Sequence, residues 1–240
     1  MFVLNPAGIL PGMLFEQILY MLAPHECMAC AAEGNLLCVA CRNDLIPIES
    51  SCYSCHCATS SFAVCSVCRR ASSLESVRVL GWYQGLLKDL IKRVKFERAQ
   101  AGADVLADLL LKSFSGETHN FQIVPIPTTP RRQRQRGYDQ AKLIAKRYAK
   151  KAQLPYRDIL QRSGTRRQLG ASRQERLRQL QGVFSVRGRK NDLMTPVLLV
   201  DDVVTTGATI EEAAHTLRAR GFHRVSALLV AQTKPLDFLQ

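Results

Sequence analysis

The chain has 240 residues, with 33 lysines and arginines against 20 acids and a formal charge of +13. At 47% hydrophobic and 22% charged it is ordinary globular material, neither disordered nor collagen-like, and long enough for one sizeable α/β domain with a small appendage. The charge is local. Residues 131–190 hold 19 Lys/Arg against Asp139, Asp158 and Glu175, a local +16, so the rest of the chain is slightly acidic. A uniformly basic, histone-like protein is excluded.

The apolar opening, Phe2 to Ala23, is broken by Pro6 and Pro11, carries Glu16 and Gln17, and has no lysine or arginine before Arg42. A membrane span needs roughly 20 mainly apolar residues, and a signal peptide needs a basic start. Neither condition is met, so a cytoplasmic chain without membrane insertion is expected. Leu14, Phe15, Ile18, Leu19 and Leu22 predict a helix over about 14–23 that packs on its own domain.

Eight of the nine cysteines form four CxxC pairs: Cys27/Cys30, Cys38/Cys41, Cys52/Cys55 and Cys65/Cys68. Each pair sets two thiolates on a tight knuckle, and two knuckles supply the tetrahedral four that Zn²⁺ prefers. A disulfide framework fits less well without a secretory signal, and a redox site would need one CxxC rather than four. Two structural zinc ions are expected, with the knuckles paired in sequence or interleaved. Cys57 and His56 read as an uninvolved surface pair. The domain division follows: 1–70 for the helix and zinc module, 71–240 for the remainder.

From Val77 the pattern alternates. Strands are predicted at Val77–Tyr83, Gln122–Ile126, Val197–Val200 and Val225–Ala231. Helices are predicted at Leu86–Phe96, Ala101–Phe114, Asp139–Lys151 and Thr209–Arg220, with 172–180 a further helical stretch. The fold class is therefore α/β, a parallel sheet flanked by helices.

The most specific stretch runs from Val197 to Thr209. A buried strand delivers Asp201 and Asp202 at the carboxyl end, where open α/β sheets bind ligands. Thr205, Thr206, Gly207, Ala208 and Thr209 then turn into a helix, offering backbone N–H groups, hydroxyls and a close-approach glycine for a phosphate. Adjacent carboxylates above such a cradle suit a ribose diol. Neither GxGxxG nor GxxxxGK[ST] is present.

This stretch resembles the phosphoribosyl-pyrophosphate (PRPP) motif of type I phosphoribosyltransferases. With the four knuckles in front, the chain over about 14–232 resembles the ComF/GntX family, linked to competence for DNA uptake (natural transformation). Val94-Lys95-Phe96, Val124-Pro125-Ile126-Pro127, the run Arg131–Gln140 and the stretch Arg166–Phe184 carry the resemblance further. Tyr138-Asp139 stands where the family has Phe-Asn, and Gln179 where it has Asn; Asp139 thus brings a negative charge near an expected anion site.

The resemblance implies a type I phosphoribosyltransferase-like sheet, with Asp201 and Asp202 on the ribose hydroxyls and 205–209 on the 5-phosphate. It also implies pyrophosphate with Mg²⁺ beside Pro127–Arg132, held by Arg131 and Arg132. Arg166, Arg167, Arg173, Arg176 and Arg178 would sit on a closing loop that neutralises the leaving group and excludes water. Lys95 reads as a solvated helix end, and Trp82 and Tyr83 as packing residues. His215 and His223 read as structural or surface residues. Two functions stand side by side: phosphoribosyl transfer to an unknown acceptor, and a non-catalytic single-stranded-DNA-binding accessory using PRPP or nucleotide as a structural or regulatory ligand. For DNA the candidates are Arg134, Arg136, Lys146 and Lys150. A homodimer and the helicase of the uptake machinery are partners by family analogy only.

Overall fold

A computed structural model describes residues 26–96, 99–114, 120–163, 182–187 and 193–234. The chain divides into two compact units, Met1–Asp44 and Leu45–Gln240. The helix expected at 14–23 and the one at 172–180 lie outside the described residues.

In the first unit a bridge between Glu26 and Glu33 closes the first knuckle, and helix α1 (Val39–Asn43) carries Cys41 of the second. Its N-cap is Cys38, whose Sγ accepts from the Cys41 amide. Cys27 and Met28 are buried.

The second unit begins with the other two knuckles and helix α2 (Ser66–Arg69). Strand β1 (Val77–Trp82) then leads into helices α3 (Gly85–Phe96) and α4 (Ala99–Phe114). Strand β2 (Gln122–Pro125), helix α5 (Pro130–Arg136) and helix α6 (Gln140–Ala152) follow. After the short strands β3 (Leu160–Arg162) and β4 (Phe184–Val186) come β5 (Val197–Val204), α7 (Ala208–Ala219) and β6 (Val225–Gln232). The main sheet has the order β1-β6-β5-β2 and is parallel throughout; β3 and β4 pair antiparallel.

Both sheet faces are covered, which is why apolar residues dominate its strands, with Arg78, Gln122 and Ser226 among the buried exceptions. Val197, Leu198, Leu199 and Val200 are all fully buried. On one face Val197, Leu199, Ala227 and Leu229 join Ile210, Ala213 and Leu217 of α7 in a single core. Cys52, Tyr53, Val64 and Leu74 belong to that same core, so the second cysteine cluster is built into the sheet-bearing unit. Helix α6 packs on β2 and β5 and against α4. Among the described residues no helix is long and apolar enough to cross a membrane.

Besides the unpredicted short strands β3 and β4, two features depart from the predicted elements. The arginine run after β2 is a helix rather than a loop: Thr129 Oγ1 accepts from the Arg132 amide at 3.3 Å, Pro130 opens the first turn, and Gly137 at φ +79° ends it. Strand β5 also continues through the diacid, since Asp201 stays in register with Leu229 and Val203 with Ala231.

Candidate functional site

A cavity of about 890 Å³ opens at the carboxyl ends of all four parallel strands. Tyr83 follows β1, Ile126 and Pro127 follow β2, Asp201 and Asp202 come from β5, and Thr233 follows β6; each lines it. Thr205 and Thr209 contribute from the turn into α7, and Arg131, Arg132, Arg134 and Arg136 from α5. The structure thus gathers the predicted diacid, the phosphate-type turn and the arginine run around one space. Lys146 and Lys150 do not line it; both are exposed on α6, with Lys146 Nζ 5.6 Å from the centre of the Tyr156 ring. Arg166, Arg167, Arg173, Arg176 and Arg178 lie outside the described residues.

The diacid is electrostatically uneven. Withdrawal from water and the neighbouring Asp202 charge push the Asp201 carboxyl well above the usual range, opposed by the Asp202 amide that donates to its Oδ1 at 2.8 Å. Asp202 has a partner: Lys95 Nζ lies 2.7 Å from its Oδ2, with the two side chains only 16% and 17% exposed. Lys95 is therefore not a solvated helix end. Helix α3 places it in the cavity beside the diacid, a position that spacing along one helix does not reveal.

The turn after β5 is built for close approach. Gly207 takes φ +79° and serves as the N-cap of α7, and, having no side chain, offers the first turn no capping oxygen of its own. Thr206 Oγ1 accepts from the Ala208 amide at 3.5 Å. An N-terminus presenting amides and hydroxyls without a capping carboxylate suits an anionic oxygen.

Asp139 has a structural task instead of an anion-repelling one. As N-cap of α6 it accepts from the Lys142 amide at 3.2 Å, and its other oxygen accepts from the Thr128 amide at 2.8 Å. Burial pushes its carboxyl up, against those two bonds. It thereby ties the chain after β2 to the start of α6. Asp139→Ala is expected to cost about 1–2 kcal/mol of stability, read as a lower urea midpoint, whereas Asp139→Asn, keeping a capping oxygen, costs less.

Tyr83, Gln140 and Arg162 are cavity residues that the sequence reading did not assign to the site. Both polar atoms of the buried Gln140 amide lack a protein partner. Arg162 arrives on β3, with its guanidinium 5.3 Å from the Phe184 ring of β4; a three-residue strand carries no periodic signal to find it by. Trp82 sits 6.2 Å from His56 and 6.0 Å from Lys234 Nζ, as a packing residue does. His215 and His223 are exposed.

The cysteines pair in sequence: Cys27, Cys30, Cys38 and Cys41 form one cluster and Cys52, Cys55, Cys65 and Cys68 the other, each set of Sγ atoms lying within 4.8 Å. Tetrahedral Zn²⁺ with 2.3 Å bonds spaces its sulfurs about 3.8 Å apart. Cys30 and Cys38 stand 3.7 Å apart, and Cys55 and Cys65 3.5 Å. Amide donation from Cys68 is the main reason the Cys65 thiol comes down to about 6, a thiolate suited to the metal. Both clusters fit a closed, structural zinc. Cys57 is less detached than its position in the sequence implies, with its Sγ 3.5 Å from that of Cys55.

The molecule is thus an α/β protein with a polar, arginine-rimmed cavity at its strand ends and two four-cysteine clusters that could hold metal. Competence protein F of Haemophilus influenzae is 30% identical over 216 residues, covering 80% of this chain and 94% of that protein. Competence protein ComFC of Bacillus subtilis is 28% identical over 201 residues (74% and 81%), and the DNA utilization protein YhgH of Escherichia coli K12 29% over 163 residues (63% and 69%). No protein-family model matches the chain. The chain belongs to the ComF family.

Proposed function

We propose that the cavity binds PRPP and that the protein acts in DNA uptake, transferring the phosphoribosyl group to an acceptor still to be found. The reading rests above all on one observation: the diacid, the turn into α7 and the four arginines of α5 converge on a single cavity of about 890 Å³. The relatives named for competence and DNA utilization support the biological half.

In this reading Asp201 and Asp202 accept from the ribose hydroxyls, and 205–209 hold the 5-phosphate. Arg131 and Arg132 take the pyrophosphate, whose Mg²⁺ supplies further charge neutralisation. Departure of pyrophosphate from the anomeric carbon needs no protein nucleophile. It needs donors aimed at the leaving charge and a site closed to water. Lys95 holds Asp202 in place until the ribose arrives.

A second reading, single-stranded DNA as a ligand, is favoured by the exposed Lys146 and Lys150, which lie off the cavity. Calorimetry separates the two. PRPP with Mg²⁺ is expected to bind at one site per chain, and no heat at millimolar PRPP would overturn the cavity assignment. Single-stranded DNA added to the PRPP complex is expected to bind at low salt and to weaken steeply as salt rises. Displacement of PRPP by DNA would place the DNA on the cavity arginines, whereas independent binding would place it on α6.

A further inference from the structure

The second cysteine cluster and the turn at Gly207 meet through one side chain. Tyr53 sits inside the knuckle, between the ligand positions Cys52 and Cys55, and is buried. Its ring lies directly against Gly207: a Cβ at 207 would fall 2.6 Å from Tyr53 Cε2. Glycine is thus required there twice, for the positive φ and for the ring. The Tyr53 hydroxyl donates to Glu211 Oε1 in the first turn of α7. Ser72 Oγ (2.5 Å) and the Ser73 amide (3.0 Å), from the segment after the last knuckle, donate to the same carboxylate. On the other side Gln232 Nε2, at the end of β6, donates to the Tyr53 carbonyl at 2.9 Å.

We infer that Tyr53 and Glu211 are positioning residues that brace the 205–209 turn against the second cysteine cluster, so that metal retention there and phosphate binding at the turn are coupled. The physical ground is that Tyr53 cannot follow an opening knuckle without leaving Gly207 and releasing Glu211. A knuckle closed on its metal holds the ring fixed, and the ring fixes the height of the turn. Such coupling is reciprocal: a ligand that orders the turn slows loss of the metal. The reciprocal half rests on the phosphate-binding reading given above; the brace itself does not.

The test follows zinc transfer from the full-length, two-zinc protein to a colorimetric chelator. Without ligand, Tyr53→Phe keeps the ring but loses the bond to Glu211, and is expected to release one of its two zincs about ten-fold faster than the parent. The second zinc serves as an internal reference. Glu211→Ala, which removes the acceptor on the other side of the same bond, is expected to reproduce the effect. Equal ligand-free rates in parent and both variants would overturn the brace, whatever the cavity binds.

With ribose 5-phosphate at saturation, one zinc of the parent is expected to leave at least about five-fold more slowly. In Tyr53→Phe this protection shrinks below about two-fold, measured at its own saturation, because the link is cut. Full protection persisting in the variant would make Tyr53 merely structural and overturn the coupling. So would ribose 5-phosphate that binds by calorimetry yet leaves both rates unchanged. Absence of any ribose 5-phosphate binding instead sinks the phosphate reading, and the ligand-free comparison still decides the brace.

Discussion

Asp201→Asn is expected to raise the melting temperature of the ligand-free protein at neutral pH by roughly 2–4 °C, corresponding to about 1 kcal/mol. The same change is expected to abolish the shift produced by PRPP with Mg²⁺. Both effects come from one arrangement. Asp201 is withdrawn from water beside a second carboxylate, and its carboxyl is held well above its ordinary value. Between its ordinary value and the raised one, the folded state therefore keeps a proton that the unfolded chain has lost. Stability from this group is complete below the unfolded value near 4, and it is lost as pH rises through the raised folded value. Asparagine has no charge to lose.

The melting difference between variant and parent should thus be smallest in acid and widen with pH, as a thermal series from pH 4 to 8 would show. Asp202→Asn behaves differently, because it strips Lys95 of the carboxylate 2.7 Å away and leaves a half-buried ammonium unpaired. An Asp201→Asn protein that retains the full PRPP shift would remove the diacid from the binding site.

Loss of the second metal is expected to be the most damaging single change. Cys52 is fully buried and shares a core with Tyr53, Val64, Leu74 and the sheet residues Val77, Leu199 and Leu229. Structural zinc contributes free energy comparable with the stability of a whole domain. Cys52→Ser is therefore expected to bind one zinc fewer and to lose about 5 kcal/mol or more, read as lost zinc by atomic emission and a collapsed denaturant midpoint. Cys57→Ser is expected to keep both zincs, because Cys57 lies outside the four-sulfur cluster although it touches Cys55. A folded Cys52→Ser protein with an unchanged midpoint would end the structural role assigned to that cluster.

Several elements were legible from residue order because their causes are local. The strands at Val77, Val197 and Val225 are short, mainly apolar stretches of the kind a doubly covered parallel sheet accepts. The CxxC spacing reports the knuckles, and Thr205–Thr209 reports a turn into a helix. Helix α5 was missed because its seven residues are nearly all polar and bury no stripe; its signal was the Thr129–Pro130 start and the Gly137 stop. Strands β3 and β4 were missed because three residues each, separated by more than 20, make no period.

The sequence by itself determined the α/β class, the location of the basic excess, the eight paired cysteines suited to metal and the diacid-and-turn motif. Each is written in neighbouring residues, where spacing and side-chain chemistry act directly. Only the tertiary structure decided which knuckles lie together, that Lys95 belongs to Asp202, and that Asp139 reaches back to the Thr128 amide. It also decided that Tyr53 stands beneath Gly207. These are meetings of residues from 8 to more than 150 positions apart, and they follow from packing an entire sheet between its helices, not from any local preference. The +13 charge of the chain gained its meaning the same way: four of its arginines turn one helix toward a cavity, while Lys146 and Lys150 stay outside it.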